Sequence, residues 1–189
     1  MNKLIRNNLQ LMAKIIPTSY ICLQKDTLSL TVTREDIVTV LTILKKHSNF
    51  QYKTLSCISG SDTISKKDRF KIIYELLSLS YNSRIRIITF TSELEPVSSS
   101  VVIFPASGWY ESEIWDMFGV FFQNHLNLTR LLTDYGFEGY PLRKDFPLSG
   151  FVEASYDFTK RQVLNSKLEL SQEYKNLKFD SPWENIKID

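Results

Sequence analysis

Three acidic residues stand close together near the middle of the chain, at Glu111, Glu113 and Asp116. Carboxylates at short spacing can perform general acid–base chemistry or bind a divalent metal ion. Side chains meet on one face of a helix when they are three or four positions apart. Glu113 and Asp116 follow Glu111 by two and five positions, so the three do not share a face. The spacing therefore favours acids of a helix N-terminus and its surface over a reactive cluster.

His125 and Asp134 are the other pair whose types could do chemistry, because a histidine beside a carboxylate is an acid–base couple. A hydrolase built on His125, Asp134 and Glu138 is the alternative that this pair supports. A single histidine in a loop is more often a hydrogen-bonded structural residue. The sequence therefore favours a structural role for His125 and keeps the hydrolase as an alternative.

Gly136 and Gly139 are the best candidates for a phosphate-binding loop. Such a loop needs glycines directly ahead of a helix, whose N-terminus then faces the phosphate. Here Tyr140 and Pro141 follow, and further prolines and glycines continue to Gly150. These glycines are therefore predicted to lie in turns, without a nucleotide.

Few residues are available to bind a resident metal: the chain has two cysteines and two histidines. An iron–sulfur cluster uses four thiolates, and structural zinc uses about four ligands at short spacing. We therefore expect no metal in this chain. Cys22 and Cys57 are predicted to be small, buried apolar residues.

Charge is distributed unevenly along the chain. Residues 1–90 contain 14 Lys or Arg and 6 Asp or Glu, whereas residues 91–189 contain 9 and 15. A basic half beside an acidic half indicates docking onto a large partner, or a nucleic-acid patch. Because no run reaches five like charges, a protein partner is favoured, and RNA binding by residues 1–90 is the alternative.

The longest stretch without a formal charge has 15 residues, between Glu95 and Glu111. A membrane-spanning helix needs about 20 apolar residues, so no such span is predicted. Residues 1–16 carry basic and no acidic residues, and their apolar stripe has helical spacing up to Pro17. This segment is predicted to be an amphipathic docking helix.

The elements that must position these residues follow from periodicity. Strands are predicted at 20–24, 28–32, 54–59, 70–80 and 85–91, and helices from Thr33 to about His47 and over 107–119. Strands with segregated helices predict an α+β fold, a two-layer domain with a mixed sheet covered by helices, over 17–120. Closely spaced glycines and prolines predict that 121–189 is an extended, turn-rich interface arm.

One stretch resembles a known family. It comprises ESEIWDMFG at 111–119, then His125, Arg130 and LLTDYGFEGYPLRKDFPLSG at 131–150. This string is similar to the signature of the 30-kDa subunit family of respiratory complex I, the proton-pumping NADH:ubiquinone oxidoreductase. The tail resembles it too, in QEY at 172–174 and FDSPWE at 179–184. Four departures stand out: the family usually has Arg at Ser112, Pro and Asp at Leu126 and Asn127, and His at Tyr140.

The resemblance implies a structural subunit of the peripheral arm, on the matrix side of the mitochondrial inner membrane or the cytoplasmic side of a bacterial membrane. Its partners would be the large quinone-pocket subunit and the small terminal-cluster subunit. FMN, iron–sulfur clusters and ubiquinone would belong to other subunits. The signature positions implied to form the interface are Glu111, Glu113, Asp116, His125, Arg130, Asp134, Gly136, Glu138, Gly139, Arg143, Lys144, Asp145 and Trp183.

Overall fold

The structure, a computed structural model, describes residues 11–24, 27–65 and 67–172. The backbone separates into two compact units, one running through Asp145 and the other beginning at Phe146. Residues 121–145, which the sequence assigns to the arm, cluster with the sheet in the first unit. Buried side-chain anchors, described below, account for this difference.

One sheet of five strands organises the first unit. Its strands are β1 (Tyr20–Gln24), β2 (Thr27–Thr31), β3 (Thr54–Asp62), β4 (Phe70–Ser78) and β5 (Ser83–Thr91), in the order β1-β2-β5-β4-β3. Only β2 and β5 pair in parallel; the other neighbours are antiparallel. Helix α1 (Ile37–Lys46) carries the chain from β2 to the far edge, and two hairpins return it to β5. The predicted mixed sheet is confirmed.

Helices cover one face of this sheet. Side chains alternate along β4, and the buried set is Phe70, Ile72, Tyr74, Leu76 and Ser78. Helix α1 and helix α2 (Ser107–Phe118) place their apolar residues in the same core, among them Ile37, Val40, Leu41, Leu44, Ile114 and Phe118. Burial of these large side chains is the main stabilising contribution. The predicted α+β class is confirmed.

Helix α2 is held closely against β3. A Cβ at Gly60 would lie 2.8 Å from ring atoms of Phe118, so glycine permits the approach. The helix ends at Gly119, whose φ of 74° is left-handed. Short strands β6 (Val97–Ser98) and β7 (Phe122–Gln123) pair in parallel and join the segments that enter and leave α2.

Boundaries differ from the prediction in two places. Helix α1 begins at Ile37 and not at Thr33, because residues 34–36 form a turn in which the Thr33 hydroxyl donates to Asp36 at 2.7 Å. Residues 11–15 are helical, and Met12 and Ile16 are buried in the core. The rest of the predicted docking helix lies outside the described residues, and its docking stays a prediction.

The second unit contains a hairpin of β8 (Val152–Asp157) and β9 (Gln162–Lys167), which periodicity did not reveal. Nearly all of its side chains are exposed on both faces. Trp183 lies outside the described residues. Among those described, no helix combines the length and apolar character that crossing a bilayer requires.

Candidate functional site

Glu111 is fully buried in α2, where its carboxylate binds the segment that precedes the helix. It accepts hydrogen bonds from the Ser99 hydroxyl at 2.6 Å, the Ser100 hydroxyl at 2.7 Å and the Ser100 N–H at 2.8 Å. Bonds to an ionised acceptor are stronger than neutral ones and offset part of the cost of burying the charge. The expectation of a solvated helix acid is therefore wrong for Glu111.

His125 lies close to Glu111. Its Nε2 is 3.2 Å from the Gly108 carbonyl oxygen, and its Nδ1 accepts the Asn127 N–H at 3.1 Å. This pattern assigns the proton of the neutral ring to Nε2. Nε2 is also 3.9 Å from Glu111 Oε2. His125 thus has the hydrogen-bonded structural role that the sequence favoured, beside Glu111 and not paired with Asp134.

The charge of Glu111 also acts on the core. Burial, and secondarily that negative charge, raise the pKa of the Tyr74 phenol. Tyr74 lies in the middle of β4, directly on the covered face of the sheet. Its hydroxyl therefore stays protonated near neutral pH.

Asp116, one and a half turns further along α2, is also fully buried. Its Oδ2 accepts the backbone N–H groups of Leu131, Leu132 and Thr133 at 3.2, 2.7 and 2.9 Å. Its Oδ1 accepts from the Thr133 hydroxyl at 2.6 Å and from Arg130 Nη1 at 3.1 Å. Asp116 is therefore an anchor for residues 130–133, and the expected surface position is wrong for it too.

Opposing effects act on the ionisation of Asp116. Burial by itself would raise its pKa, but the hydrogen bonds from Thr133, Leu132 and Leu131 outweigh burial and hold the pKa below its usual range. The carboxylate is therefore charged at neutral pH. Because both of its oxygen atoms accept hydrogen bonds, Asp116 serves to anchor residues 130–133.

Arg130 and Arg143 hold the rest of the signature loop, which we define as residues 120–145. Arg130 Nη1 donates to the Gly139 carbonyl at 2.9 Å, and its guanidinium lies over Tyr140 at 5.1 Å. Arg143 Nε donates to the Phe118 carbonyl at 2.6 Å, and its guanidinium lies 4.5 Å from the Tyr140 ring centroid. These contacts hold the two parts of the loop around Arg130 and Arg143 to each other and to the end of α2.

Tyr140, one of the four departures, is part of this packing. Its ring meets Trp115 edge to face at 5.8 Å between centroids. A Cβ at Gly119 would lie 2.6 Å from both Tyr140 and Arg143, and the positive φ disfavours a side chain there as well. Gly119 therefore permits both the helix end and the close approach of the loop.

A second set of charges holds the end of the loop, and we call it the Arg69 cluster: Arg69, Asp62, Glu93 and Asp145. Arg69 donates two hydrogen bonds to Asp62, at 2.7 and 2.8 Å, and two to Asp145, at 2.8 and 3.3 Å. It also pairs with Glu93. The Lys144 N–H donates to Asp62 Oδ2 at 2.9 Å.

Electrostatics in the Arg69 cluster follow from these contacts. Hydrogen bonds from Arg69 hold the pKa of Asp62 and the pKa of Asp145 below their usual range. The hydrogen bonds to Asp62 and Asp145 raise the pKa of Arg69. Sequence reasoning missed this cluster, because the hairpin register places Asp62 opposite Phe70 and gives no signal for a pair with the preceding Arg69.

The remaining signature residues face solvent. Exposed positions are Glu113, Asp134, Gly136, Glu138, Gly139 and Lys144. Between them, Leu132 and Leu142 are 61% and 55% exposed, and Tyr135 is fully exposed. We call Leu132, Tyr135 and Leu142 the loop surface. The backbones of both leucines are bound to the end of α2, through Asp116 Oδ2 and the Met117 carbonyl.

Comparison with known proteins identifies the family. The family model described as "Respiratory-chain NADH dehydrogenase, 30 Kd subunit" matches residues 30–152. The chain belongs to this family. It is 51% identical over 164 residues to NADH-ubiquinone oxidoreductase subunit 9 of Reclinomonas americana, covering 87% of this chain and 80% of that protein.

Two further comparisons extend the match. Iron-sulfur protein 3 of NADH dehydrogenase (ubiquinone) from Solanum tuberosum is 51% identical over 145 residues, covering 77% of this chain and 76% of the relative. A chain in the solved structure of membrane-bound sulfane sulfur reductase, an archaeal respiratory membrane complex, has a TM-score of 0.66 at 22% identity. That alignment covers 78% of this chain and 87% of the other, and it shows a shared fold.

Proposed function

We propose that this chain is a structural subunit in the peripheral arm of proton-pumping NADH:ubiquinone oxidoreductase, where it holds the large quinone-pocket subunit and the small terminal-cluster subunit together. FMN, the iron–sulfur clusters and ubiquinone belong to other subunits in this proposal. It places the chain on the matrix side of the mitochondrial inner membrane. Family membership and the names of the relatives support it.

The observation that carries the proposal is a division of roles within the signature loop. Its charged residues Arg130 and Arg143 bind inward, to Asp116 and to the end of α2, and hold an irregular backbone in one shape. The loop surface, in contrast, points three large side chains outward. Keeping such side chains in water is unfavourable, and large side chains on a fixed loop can serve as anchors of a protein–protein interface. A partner subunit that covers Leu132, Tyr135 and Leu142 would remove these side chains from water.

The acids beside the loop surface indicate the chemistry of that partner. Asp134 directly precedes Tyr135 and is exposed, Glu138 is exposed three positions after Tyr135, and Glu113 is exposed on α2. An apolar pocket with lysine or arginine at its rim would complement them. The exposed charged positions of the signature thus contribute to specificity, and the loop surface contributes most of the affinity.

The hairpin of the second unit supports the same proposal. A hairpin of two strands is at best marginally stable in water without a further packed surface. Here Val152, Tyr156 and Val163 share one face by register, and each is more than half exposed. In an assembled enzyme, this face would be covered by another subunit.

The experiment is complementation in cells that lack the chain. The full-length chain should restore the complete peripheral arm on native gels, together with NADH:ubiquinone activity. Tyr135→Ala combined with Leu142→Ala should lower both readouts, because the loop surface loses its aromatic and one aliphatic anchor. Leu94→Ala, at another highly exposed leucine, is the matched control and should behave as the unsubstituted chain. A complete and active arm in cells without the chain would disprove the proposal.

A further inference from the structure

The Arg69 cluster joins three segments that lie far apart in the sequence. Arg69 lies in the turn before β4, and its guanidinium reaches Asp62 at the end of β3, Glu93 after β5 and Asp145 at the end of the signature loop. Arg143 Nη1 is 3.6 Å from Glu93 and adds a second cation. One side chain therefore connects the edge of the sheet to the end of the loop.

This cluster differs from an ordinary surface ion pair. The Arg69 side chain is only 13% exposed and that of Asp62 only 1%. Arg69 Nε and Nη2 each donate a hydrogen bond to one carboxylate oxygen of Asp62. Arg86 and Glu75, by comparison, form a single contact across β5 and β4, and the arginine side chain is 36% exposed. Partly buried, bidentate pairs hold a defined geometry, whereas exposed pairs contribute little.

The cluster binds the end of the loop to the edge of the sheet. Strands β3, β4 and β5 already pair through backbone hydrogen bonds, with one register shift between Leu55 and Cys57. The cluster adds the Lys144 N–H and the Asp145 carboxylate, which belong to the last residues of the first unit. Removing Arg69 should therefore free residues 144 and 145 while the sheet keeps its ladder.

We propose that Arg69 is a positioning residue for assembly, which fixes the end of the signature loop so that the loop surface is presented in one shape to the neighbouring subunit. This inference rests on the proposed function. Arginine is required because a guanidinium can bind Asp62 with two nitrogen atoms and still reach Asp145 and Glu93. Lysine supplies the charge without the planar fork.

Complementation with full-length variants tests this role. Arg69→Gln should lower incorporation into the peripheral arm by about tenfold, because it removes the cation that pairs with Asp62, Glu93 and Asp145 in a partly buried cluster. Arg69→Lys should recover part of that loss. Arg86→Gln removes the same charge from the single-contact pair with Glu75 and should be incorporated normally.

A second measurement separates positioning from folding. In the full-length chain, trypsin should cut after Arg143 or Lys144 about tenfold faster in Arg69→Gln, because cleavage follows the population of the opened loop. The urea midpoint of the sheet, followed by far-UV circular dichroism, should match that of Arg86→Gln.

Two outcomes would overturn the role of Arg69: normal incorporation of Arg69→Gln, or a sheet that unfolds in Arg69→Gln under conditions where Arg86→Gln is folded. Failure of the unsubstituted chain to enter the arm would instead overturn the proposed function.

Discussion

Replacing Asp116 with asparagine tests the buried anchor of the signature loop directly. The carboxylate accepts from three backbone N–H groups at Oδ2 and from the Thr133 hydroxyl and Arg130 at Oδ1. An amide must place its NH₂ group at one of these two positions. It then opposes either three fixed N–H donors or an arginine, and no side-chain rotation relieves both.

The magnitude follows from these contacts. Each hydrogen bond to a charged group contributes about 1.5–3 kcal/mol, but bonds to one carboxylate are not additive. Breaking one partner of a buried charged network costs about 3–5 kcal/mol, and we expect Asp116→Asn to lie in that range. The measurement is urea unfolding of the full-length chain, with hydrogen exchange at Leu131, Leu132 and Thr133. Glu113→Gln, at an exposed acid of the same helix, is the control and should change stability by less than about 0.5 kcal/mol.

The pH dependence has a defined sign. Because the folded pKa of Asp116 is lowered, its stabilisation is complete above the unfolded value near about 4 and is lost as pH falls through the folded value. The difference between Asp116→Asn and the unsubstituted chain should therefore be constant near neutral pH and shrink in acid. Equal stabilities of Asp116→Asn and Glu113→Gln at pH 7, with unchanged exchange at residues 131–133, would refute the anchoring role.

Three further predictions follow from the same contacts. Glu111→Gln should cost less than Asp116→Asn by at least about 1 kcal/mol in urea unfolding, because the Ser99 hydroxyl can rotate to accept from the new amide whereas backbone N–H groups cannot; equal losses would contradict this. Gly119→Ala should lower stability by about 1–3 kcal/mol in thermal unfolding, through its positive φ and the contact with Tyr140, and an unchanged midpoint would be inconsistent with the close approach. The difference between Arg69→Gln and the unsubstituted chain in hydrogen exchange at the Lys144 N–H, which donates to Asp62, should decline below about pH 4, because the pKa of Asp62 is lowered by Arg69, and a difference that persists in acid would assign the effect to packing.

Local sequence patterns predicted much of the fold. The five strands and both main helices appear where periodicity placed them, because a two-layer domain needs one apolar face on each element. Errors concentrate at boundaries such as the start of α1, where a turn stabilised by Thr33 and Asp36 replaces the first helical turn. The hairpin of the second unit escaped detection because strands exposed on both faces carry little hydrophobic alternation.

The sequence predicted only part of the candidate site. The family resemblance identified the segment that contains Glu111, Asp116, Arg130 and Arg143, and closely spaced glycines and prolines predicted its turn-rich character, but the helix pattern placed Glu111 and Asp116 among solvated acids. This placement is wrong for both residues, although an acid on a helix is usually solvated. Their donors come from segments before and after the helix, and those pairings depend on how the chain returns to α2.

By itself, the sequence determined the family, the α+β class and the turn-rich character of the signature loop, since each of these depends on residues that are neighbours in the chain. Only the tertiary structure decided which charged residues bind inward and which side chains face outward. Asp62, Arg69, Glu93 and Asp145 show why: their roles arise from pairings between distant segments, and the position of a residue within a local pattern does not specify its partner across space.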